Sequence, residues 1–541
     1  MGRYLNPGNE GFAETVSSEI YIDKTDMINY TNRVLESESK YVCVSRPRRF
    51  GKSIAAKMLV AYYSKGCDSK DLFKNLSISK QPSFAKYMNQ YDVIRLDIQW
   101  MYSVSENKVP LIEFIQDEVI HELKESYPKY IKDKEHSLAI ALSDISHAMK
   151  RKFIIIIDEW DCVFREEKKN EQLQETYISL LRSLFKGVLA EETIALAYMT
   201  GILPIKKYGT QSALNNFNEY TMVDPSIMAP YMGFTEDEVK KLLNAYHLES
   251  HLPEMKEWYD GYHFGDANIY CPWDVINHVE LLCKDSKAEP KCYWINSSGN
   301  SLVKRFITKA NKTTRDEIER LIAGEPIEKS VHLELTYDEI DNSIDNIWSV
   351  LFTTGYLTQV GMTEQGAYKL VIPNKEVREV YKLQIQDWFD KKLRDNTEQL
   401  TAFWNSIEEG KTEAIEQYLN RTLSNSISVF DTKAPEKEKE SSYHTLLVGL
   451  LTGNTDWVVR SNVEAGEGFA DIIIKPQNPD DGIIFELKYS KEASGLDKAC
   501  ERAIKQIRER RYSEYLKNDG RHNMTLYGIA FYKKRCLIQK K

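Results

Sequence analysis

Phe153-Ile154-Ile155-Ile156-Ile157 is an unbroken apolar run that ends on two carboxylates, Asp158 and Glu159. A strand with one wet face alternates apolar and polar residues, whereas a strand without alternation is buried on both faces. Such a strand belongs in a parallel sheet covered by helices on each side. Residues 41–44, 93–98 and 194–199 read as further short strands, and amphipathic stretches such as 111–123 and 173–184 lie between them. Strands alternating with helices predict an α/β layer structure. Ligands of such sheets bind outside the carboxyl ends of the strands.

The first of these strands leads into Arg46-Pro47-Arg48-Arg49-Phe50-Gly51-Lys52-Ser53, and a helical pattern over 54–62 follows. Strand, tight turn with Gly-Lys-Ser, then helix is the setting of a phosphate-binding P-loop. Backbone N–H groups at the helix start face the anion, Lys52 supplies positive charge, and Ser53 can ligate magnesium. The usual motif opens with a glycine where this chain has Arg46. Two readings stay open: a turn with no phosphate role, or a loop stiffened by Pro47 in which Arg46, Arg48 or Arg49 adds charge near the phosphates. Downstream, Asp158 would hold the magnesium and Glu159 would orient or deprotonate an attacking water. Thr200, just after the 194–199 run, either senses the γ-phosphate or closes a strand. Asp97 is either an accessory of the same site or a strand terminator.

From about residue 235 the pattern turns helical, interrupted by the aromatic turns Trp258-Tyr259-Asp260-Gly261-Tyr262 and Tyr270-Cys271-Pro272-Trp273. These aromatics can stack bases or pack a helical subdomain. Residues 300–430 read as helices with few strands, and 431–442 is charged and poor in apolar residues, as a solvated linker is. Strand patterns return at 457–463, 469–474, 483–487 and 525–531, with a basic helical segment at 497–512.

Within this last part Asp471 precedes Glu486-Leu487-Lys488 by fifteen residues. Alternate side chains of a strand share a face, so Glu486 and Lys488 project together. On neighbouring strands Asp471 and Glu486 can share a hard divalent cation, with Lys488 beside it. Metal-assisted phosphodiester hydrolysis uses those parts. The alternative is a solvated strand pair or an inactive fold of the same kind. His444 is open to two readings, a base or a packing residue.

The net charge of −9 excludes a uniformly basic nucleic-acid binder. Residues 484–541, however, carry 15 Lys and Arg against 7 Asp and Glu. Arg502, Lys505, Arg508, Arg510 and Arg511 fall on one helical segment, so nucleic acid is the expected partner there. The eight cysteines include no C-x-x-C pair, which argues against a zinc knuckle or disulfide framework and for reduced thiols in a cytoplasm. No apolar run approaches the roughly 20 residues of a membrane helix. A homo-oligomer stays open.

The motifs together resemble the AAA-ATPase-like family of bacterial proteins, often joined to a C-terminal nuclease-like domain. Arg46–Ser53, Asp158-Glu159-Trp160-Asp161 and Thr200-Gly201-Ile202-Leu203-Pro204-Ile205 carry the likeness. Tyr21-Ile22-Asp23-Lys24-Thr25, residues 258–262, Pro272-Trp273, residues 293–300 and residues 348–357 extend it. The family's own loop reads Arg-Pro-Arg-Arg-Phe-Gly-Lys-Ser, so Arg46 is a family trait. The Asp471…Glu486-x-Lys488 spacing resembles the PD-(D/E)XK nuclease core. That resemblance adds an upstream glutamate and a helix glutamine, here Glu464 and Gln506. Relatives read Gly-x-Gly-Arg-x-Asp before the first carboxylate, where this chain has Phe469 in place of the arginine.

The resemblance implies ATP and magnesium, with manganese an option at the second site. It implies a P-loop AAA-ATPase-like domain over 1–232, a helical lid and connecting region over 233–430, a charged linker over 431–442 and a restriction-endonuclease-like α/β domain over 443–541. The expected activity is an ATPase module regulating a metal-dependent nuclease on DNA or RNA. The alternative is a non-catalytic, ATP-dependent switch that docks protein or nucleic acid through an inactive nuclease-like domain.

Overall fold

A computed structural model describes residues 2–106, 109–132, 135–202, 204, 214–294, 301–332, 343–394, 397–425 and 436–541. Leu203, Ile205, most of the 293–300 motif and 431–435 of the charged stretch therefore lie outside the described residues. The chain divides into two compact units, Met1–Gly299 with Glu328–Val377, and Asn300–Ile327 with Arg378–Lys541.

The first unit is built on five parallel strands, β1 (Tyr41–Ser45), β2 (Asp92–Asp97), β3 (Phe153–Asp158), β4 (Ile194–Gly201) and β5 (Asn218–Tyr220), in the order β2-β3-β4-β1-β5. The unbroken run of β3 is explained by its two neighbourhoods. Ile155 and Ile157 join a core with the helices Leu111–Ser126, Leu138–Met149 and Glu171–Phe185. Ile154 and Ile156 join the core on the other face, with the helices Met27–Val34 and Lys52–Tyr63. Register aligns the carboxyl ends: Asp97 lies opposite Asp158, Val44 opposite Thr200, and Ser45 opposite Gly201. Strand β2 ends one residue before the expected 98, because Asp97 starts a helix. Its carboxylate accepts the Trp100 N–H at 3.0 Å, and Ile98–Ser105 is helical. Asp97 is thus a helix cap.

Two small sheets complete this unit, neither legible as strand in the sequence. One has the order β6-β8-β7, from β6 (Phe234–Thr235), β7 (Tyr262–Phe264) and β8 (Ala267–Tyr270). The other has the order β10-β11-β9, from β9 (Ile327–Lys329), β10 (Thr358–Met362) and β11 (Tyr368–Val371). The helix Pro272–Lys284 follows β8, with proline in its first turn where a missing N–H costs nothing.

The second unit carries a mixed sheet, β12-β13-β14-β15-β16, from β12 (Val458–Ala465), β13 (Gly468–Lys475), β14 (Asp481–Tyr489), β15 (Asn523–Tyr532) and β16 (Arg535–Lys540). Only β14 and β15 pair in parallel. The helix Leu496–Glu509 makes that crossover and buries Ala499, Cys500, Ala503, Ile504 and Ile507. Its apolar stripe packs on Ile473 and Ile484. A second helix, Glu436–Thr452, runs through the latter part of the charged stretch. No helix among the described residues is long and apolar enough to cross a membrane.

Candidate functional site

At the carboxyl edge of the parallel sheet, Arg48, Arg49, Gly51, Lys52, Ser53, Gln99, Glu159, Pro272 and Trp273 line a cleft of about 600 Å³. Gly51, at φ +88°, supplies the left-handed turn that delivers the chain into the helix Lys52–Tyr63. Lys52 is 5% exposed, and its ammonium donates to the carbonyls of Arg46 at 3.0 Å and Pro47 at 2.8 Å. Burial pushes its pKa down to about 8, against the pull of Glu159, Asp158 and Asp161. Arg49 lays its guanidinium 4.1 Å from the centre of the Trp273 ring. A smaller apolar chamber of about 220 Å³ shares Gly51, Ile54, Pro272 and Ile276 with the cleft, and Tyr21, Ile22 and Phe234 help to wall it. Charged side chains of the cleft thus stand beside an apolar chamber.

The carboxylates behind the loop are held in place. Asp158, 2% exposed, accepts the hydroxyl proton of buried Thr200. The Thr200 carbonyl accepts the Trp160 N–H at 2.9 Å. Glu159 sits at φ +55°, a strained conformation for a non-glycine residue, and its carboxylate is ion-paired with Arg165. Arg165 also reaches Asp161 at 3.2 Å and Gln99 at 3.1 Å. Burial would raise the Glu159 pKa, but Arg165 and Lys52 outweigh it and hold the carboxyl below its usual range. Ser53, exposed at the helix start, and Asp158 offer the oxygen donors that magnesium takes, so the residues fit that ion.

In the second unit, Leu487 donates its N–H to Asp471 at 2.7 Å, which brings the first carboxylate against β14. Glu486 is 1% exposed, and its Oε2 has no hydrogen-bond partner among the described residues. Burial and the Asp471 charge push its pKa up to about 7. Lys488 lies 2.9 Å from Glu486 and 3.8 Å from Glu440. Burial disfavours its charge, yet these carboxylates outweigh burial and raise its pKa. A buried carboxylate oxygen without a partner, next to a second carboxylate, fits a hard divalent cation. Among the described residues no group of three or more His, Cys, Asp or Glu gathers as a cation site, so any cation here rests on this pair.

Two family models match this chain. Residues 8–210 match the family described as predicted AAA-ATPase, AAA-ATPase-like, and residues 438–541 match the PD-(D/E)XK nuclease superfamily. An uncharacterized protein in the vnfD 5′ region of Azotobacter chroococcum is 21% identical over 376 residues, which is 66% of this chain. The chain spans 64% of the length of that relative. Among solved structures, the Aeropyrum pernix ORC2 protein with ADPNP and ADP superposes with a TM-score of 0.31 at 14% identity, over 68% of this chain and 97% of that one. A DNA replication initiation factor superposes with a TM-score of 0.26 at 11% identity, over 56% of this chain and 80% of that one.

Within the ATPase-like domain the cleft gathers Arg48, Arg49, Gly51, Lys52, Ser53 and Glu159. Asp158 and Thr200 lie behind them as a bonded pair. Arg46, expected near the phosphates, does not line the cleft. It is fully buried, donates to the carbonyls of Ser45 at 2.8 Å and Tyr220 at 2.7 Å, and lies 4.8 Å from the Phe264 ring centre. Phe50 follows it onto the β6-β8-β7 sheet. Phe50 meets Tyr262 edge-on at 4.9 Å and Phe264 at 5.3 Å. Pro47 sits so close to Gly355 that a Cβ there would come within 2.9 Å of it. Burying a ring such as Phe50 is worth about 1.5–3 kcal/mol. Arg46, Pro47 and Phe50 of the loop are therefore anchors, while Arg48 and Arg49 face the cleft.

Within the nuclease-like domain, Asp471, Glu486 and Lys488 come together as expected. Glu464 is exposed on β12, opposite Phe469 in register. The acid that reaches Lys488 is Glu440, which also accepts the Tyr489 N–H at 3.2 Å. It sits in the stretch read as linker, where its helix was masked by charge. Gln506 bonds the Tyr512 hydroxyl at 3.1 Å, and Tyr512 feels the charges of Glu486, Asp471 and Lys488. His444 bonds the Asp471 carbonyl through Nε2 at 2.9 Å. A carbonyl only accepts, so that nitrogen carries a proton and orients the strand. Sequence reasoning missed Gln99 and Arg165 altogether. The one signal was the spacing of Asp161 and Arg165, a helical i,i+4 pair.

Proposed function

We propose that this protein binds and hydrolyses ATP, and that its ATPase-like domain regulates a divalent-metal-dependent nuclease acting on DNA or RNA. The observation that best supports this reading is the presence of two separately built sites on one chain. One is the Lys52–Ser53–Glu159 cleft. The other is the Asp471–Glu486–Lys488 cluster.

In the first site, Lys52 and the N–H groups after Gly51 hold the β- and γ-phosphates, and Arg48 and Arg49 add charge. Ser53 and Asp158 hold magnesium. Glu159 orients the attacking water once its carboxylate leaves Arg165. In the second site, Asp471 and Glu486 hold magnesium or manganese. A cation bound there supplies Lewis-acid charge to the scissile phosphate. Lys488 stabilises the charge that develops on that phosphate, and Glu486 and Glu440 keep its ammonium protonated. The exposed Arg502, Arg508, Arg510 and Arg511, on and just after the helix Leu496–Glu509, attract the nucleic-acid backbone in a salt-dependent way.

One observation favours a second reading, an ATP-dependent switch without turnover: Arg165 occupies the Glu159 carboxylate. Cleavage assays with magnesium or manganese, with and without ATP, on wild type, Lys52→Ala and Lys488→Ala separate the two. The proposal expects Lys488→Ala to lose cleavage and keep ATP turnover, and Lys52→Ala to lose the response to ATP. Full metal-dependent cleavage by Lys488→Ala would refute the nuclease assignment. A wild type that binds ATP without turning it over would establish the switch.

A further inference from the structure

Phe469 stands where the nuclease resemblance has an arginine, and it is 64% exposed. What sets it apart from the other exposed apolar side chains is its place on the strand that carries Asp471. Its position is fixed on both sides. Two residues on, about 7 Å along an extended strand, is Asp471. One residue before it is Gly468, where a Cβ would come within 3.3 Å of the Tyr512 hydroxyl. Tyr512 is the partner of Gln506 and feels the Asp471, Glu486 and Lys488 charges.

The hairpin bearing Phe469 is also pinned to the basic end of the helix Leu496–Glu509. Glu467 accepts its hold from both directions: its N–H donates to the Arg510 carbonyl at 2.8 Å, and its carbonyl accepts from Arg510 Nη1 at 3.2 Å. Gly466 packs so tightly there that a Cβ would come within 2.2 Å of the Arg510 carbonyl oxygen. The neighbouring Arg508 and Arg502 are exposed. An exposed ring and the Arg510 guanidinium thus sit at one hairpin, whose outgoing strand carries Asp471 two residues after the ring.

We infer that Phe469 is a base-stacking platform, and that the substrate of this site is single-stranded nucleic acid or an unpaired end. The inference rests on the nuclease reading and names its substrate class. Bases inside a duplex are covered by their neighbours, so an aromatic platform gains contact only with an unstacked base. Arginine at that position would contact phosphate and treat both forms alike; phenylalanine cannot. The excess of 15 Lys and Arg over 7 Asp and Glu across residues 484–541 supplies the attraction for the backbone.

The test is fluorescence anisotropy with the full-length protein in the absence of divalent metal. The probes are labelled oligo-dT, oligo-U and a hairpin duplex of equal length. Wild type should prefer both single strands to the duplex. Phe469→Ala should weaken single-strand binding roughly 5- to 150-fold, leave duplex binding unchanged, and leave the salt dependence unchanged. Phe469→Trp should restore binding, which a merely structural loss would not allow. Arg508→Ala should instead reduce the salt slope by about one. Equal affinity for the duplex, or an equal loss on both probes in Phe469→Ala, would overturn the inference alone. Absence of binding to every probe would overturn the nuclease reading with it. If Lys488→Ala cleaves normally while Phe469→Ala still loses single-strand affinity, the nuclease assignment falls and the stacking platform stands.

Discussion

On the proposed function, raising the pH should weaken nucleotide binding, because the lysine assigned to the phosphates is buried before they arrive. Lys52 is enclosed by its own loop, donating to the Arg46 and Pro47 carbonyls, and its pKa is pushed down to about 8 from 10.5. Bound phosphate favours the ammonium and restores the ordinary value. Above about pH 8 the free protein must therefore take up a proton in order to bind. The affinity should fall about tenfold between about pH 7 and about pH 9, since each pH unit above the lower pKa costs about 1.4 kcal/mol. At about pH 8 roughly half a proton enters per nucleotide. Phosphate itself titrates near about 6 and does not interfere. Calorimetry in two buffers of different ionisation enthalpy measures both quantities. Lys52→Ala should bind more weakly and show neither effect. A wild-type affinity that is flat over this range, with no proton uptake, would refute the reasoning.

Three further outcomes are expected. Arg165→Gln removes the charge that holds Glu159 below its usual pKa, so the acid limb of kcat/KM for ATP hydrolysis should move to higher pH. Glu486, raised to about 7, must lose its proton to accept a cation, so manganese binding followed by calorimetry should strengthen as pH rises through about 7. In Lys488→Met that midpoint should move higher still, because Lys488 lowers the Glu486 pKa. Gly355→Ala places a side chain at φ +88° and against Pro47. It should cost about 1–3 kcal/mol in denaturant unfolding and also weaken nucleotide binding.

The sequence discloses those parts of the fold whose burial leaves a pattern. The 153–157 run requires two covered faces, and Ile154 and Ile155 do enter opposite cores. The Gly51-Lys52-Ser53 turn and the Asp471…Glu486-x-Lys488 spacing are local or nearly local, and both assemble as read. Strands of two or three residues, such as Phe234–Thr235 and Tyr262–Phe264, are too short to show a period. Arg46 misled because a charged side chain in a phosphate loop suggests phosphate, whereas its surroundings are an aromatic ring and two carbonyls. Glu440 was hidden because charge density in a helix looks like charge density in a linker. Arg165 also bonds Gln99, 66 residues away in the chain, a partnership that only folding reveals.

The anchoring of Arg46, Pro47 and Phe50 bears on how this chain can be divided. A fragment that stopped at residue 210, where the ATPase-like match ends, would keep Lys52, Ser53, Asp158 and Glu159. It would lack Tyr220, Tyr262, Phe264 and Gly355, and with them the floor on which the loop rests. Phe50 would then stand in water and the buried Arg46 guanidinium would lose its acceptor on Tyr220. The smallest piece that keeps this loop in shape is accordingly set by the loop's underside, and it extends well beyond the last residue of the cleft's Lys52–Glu159 side.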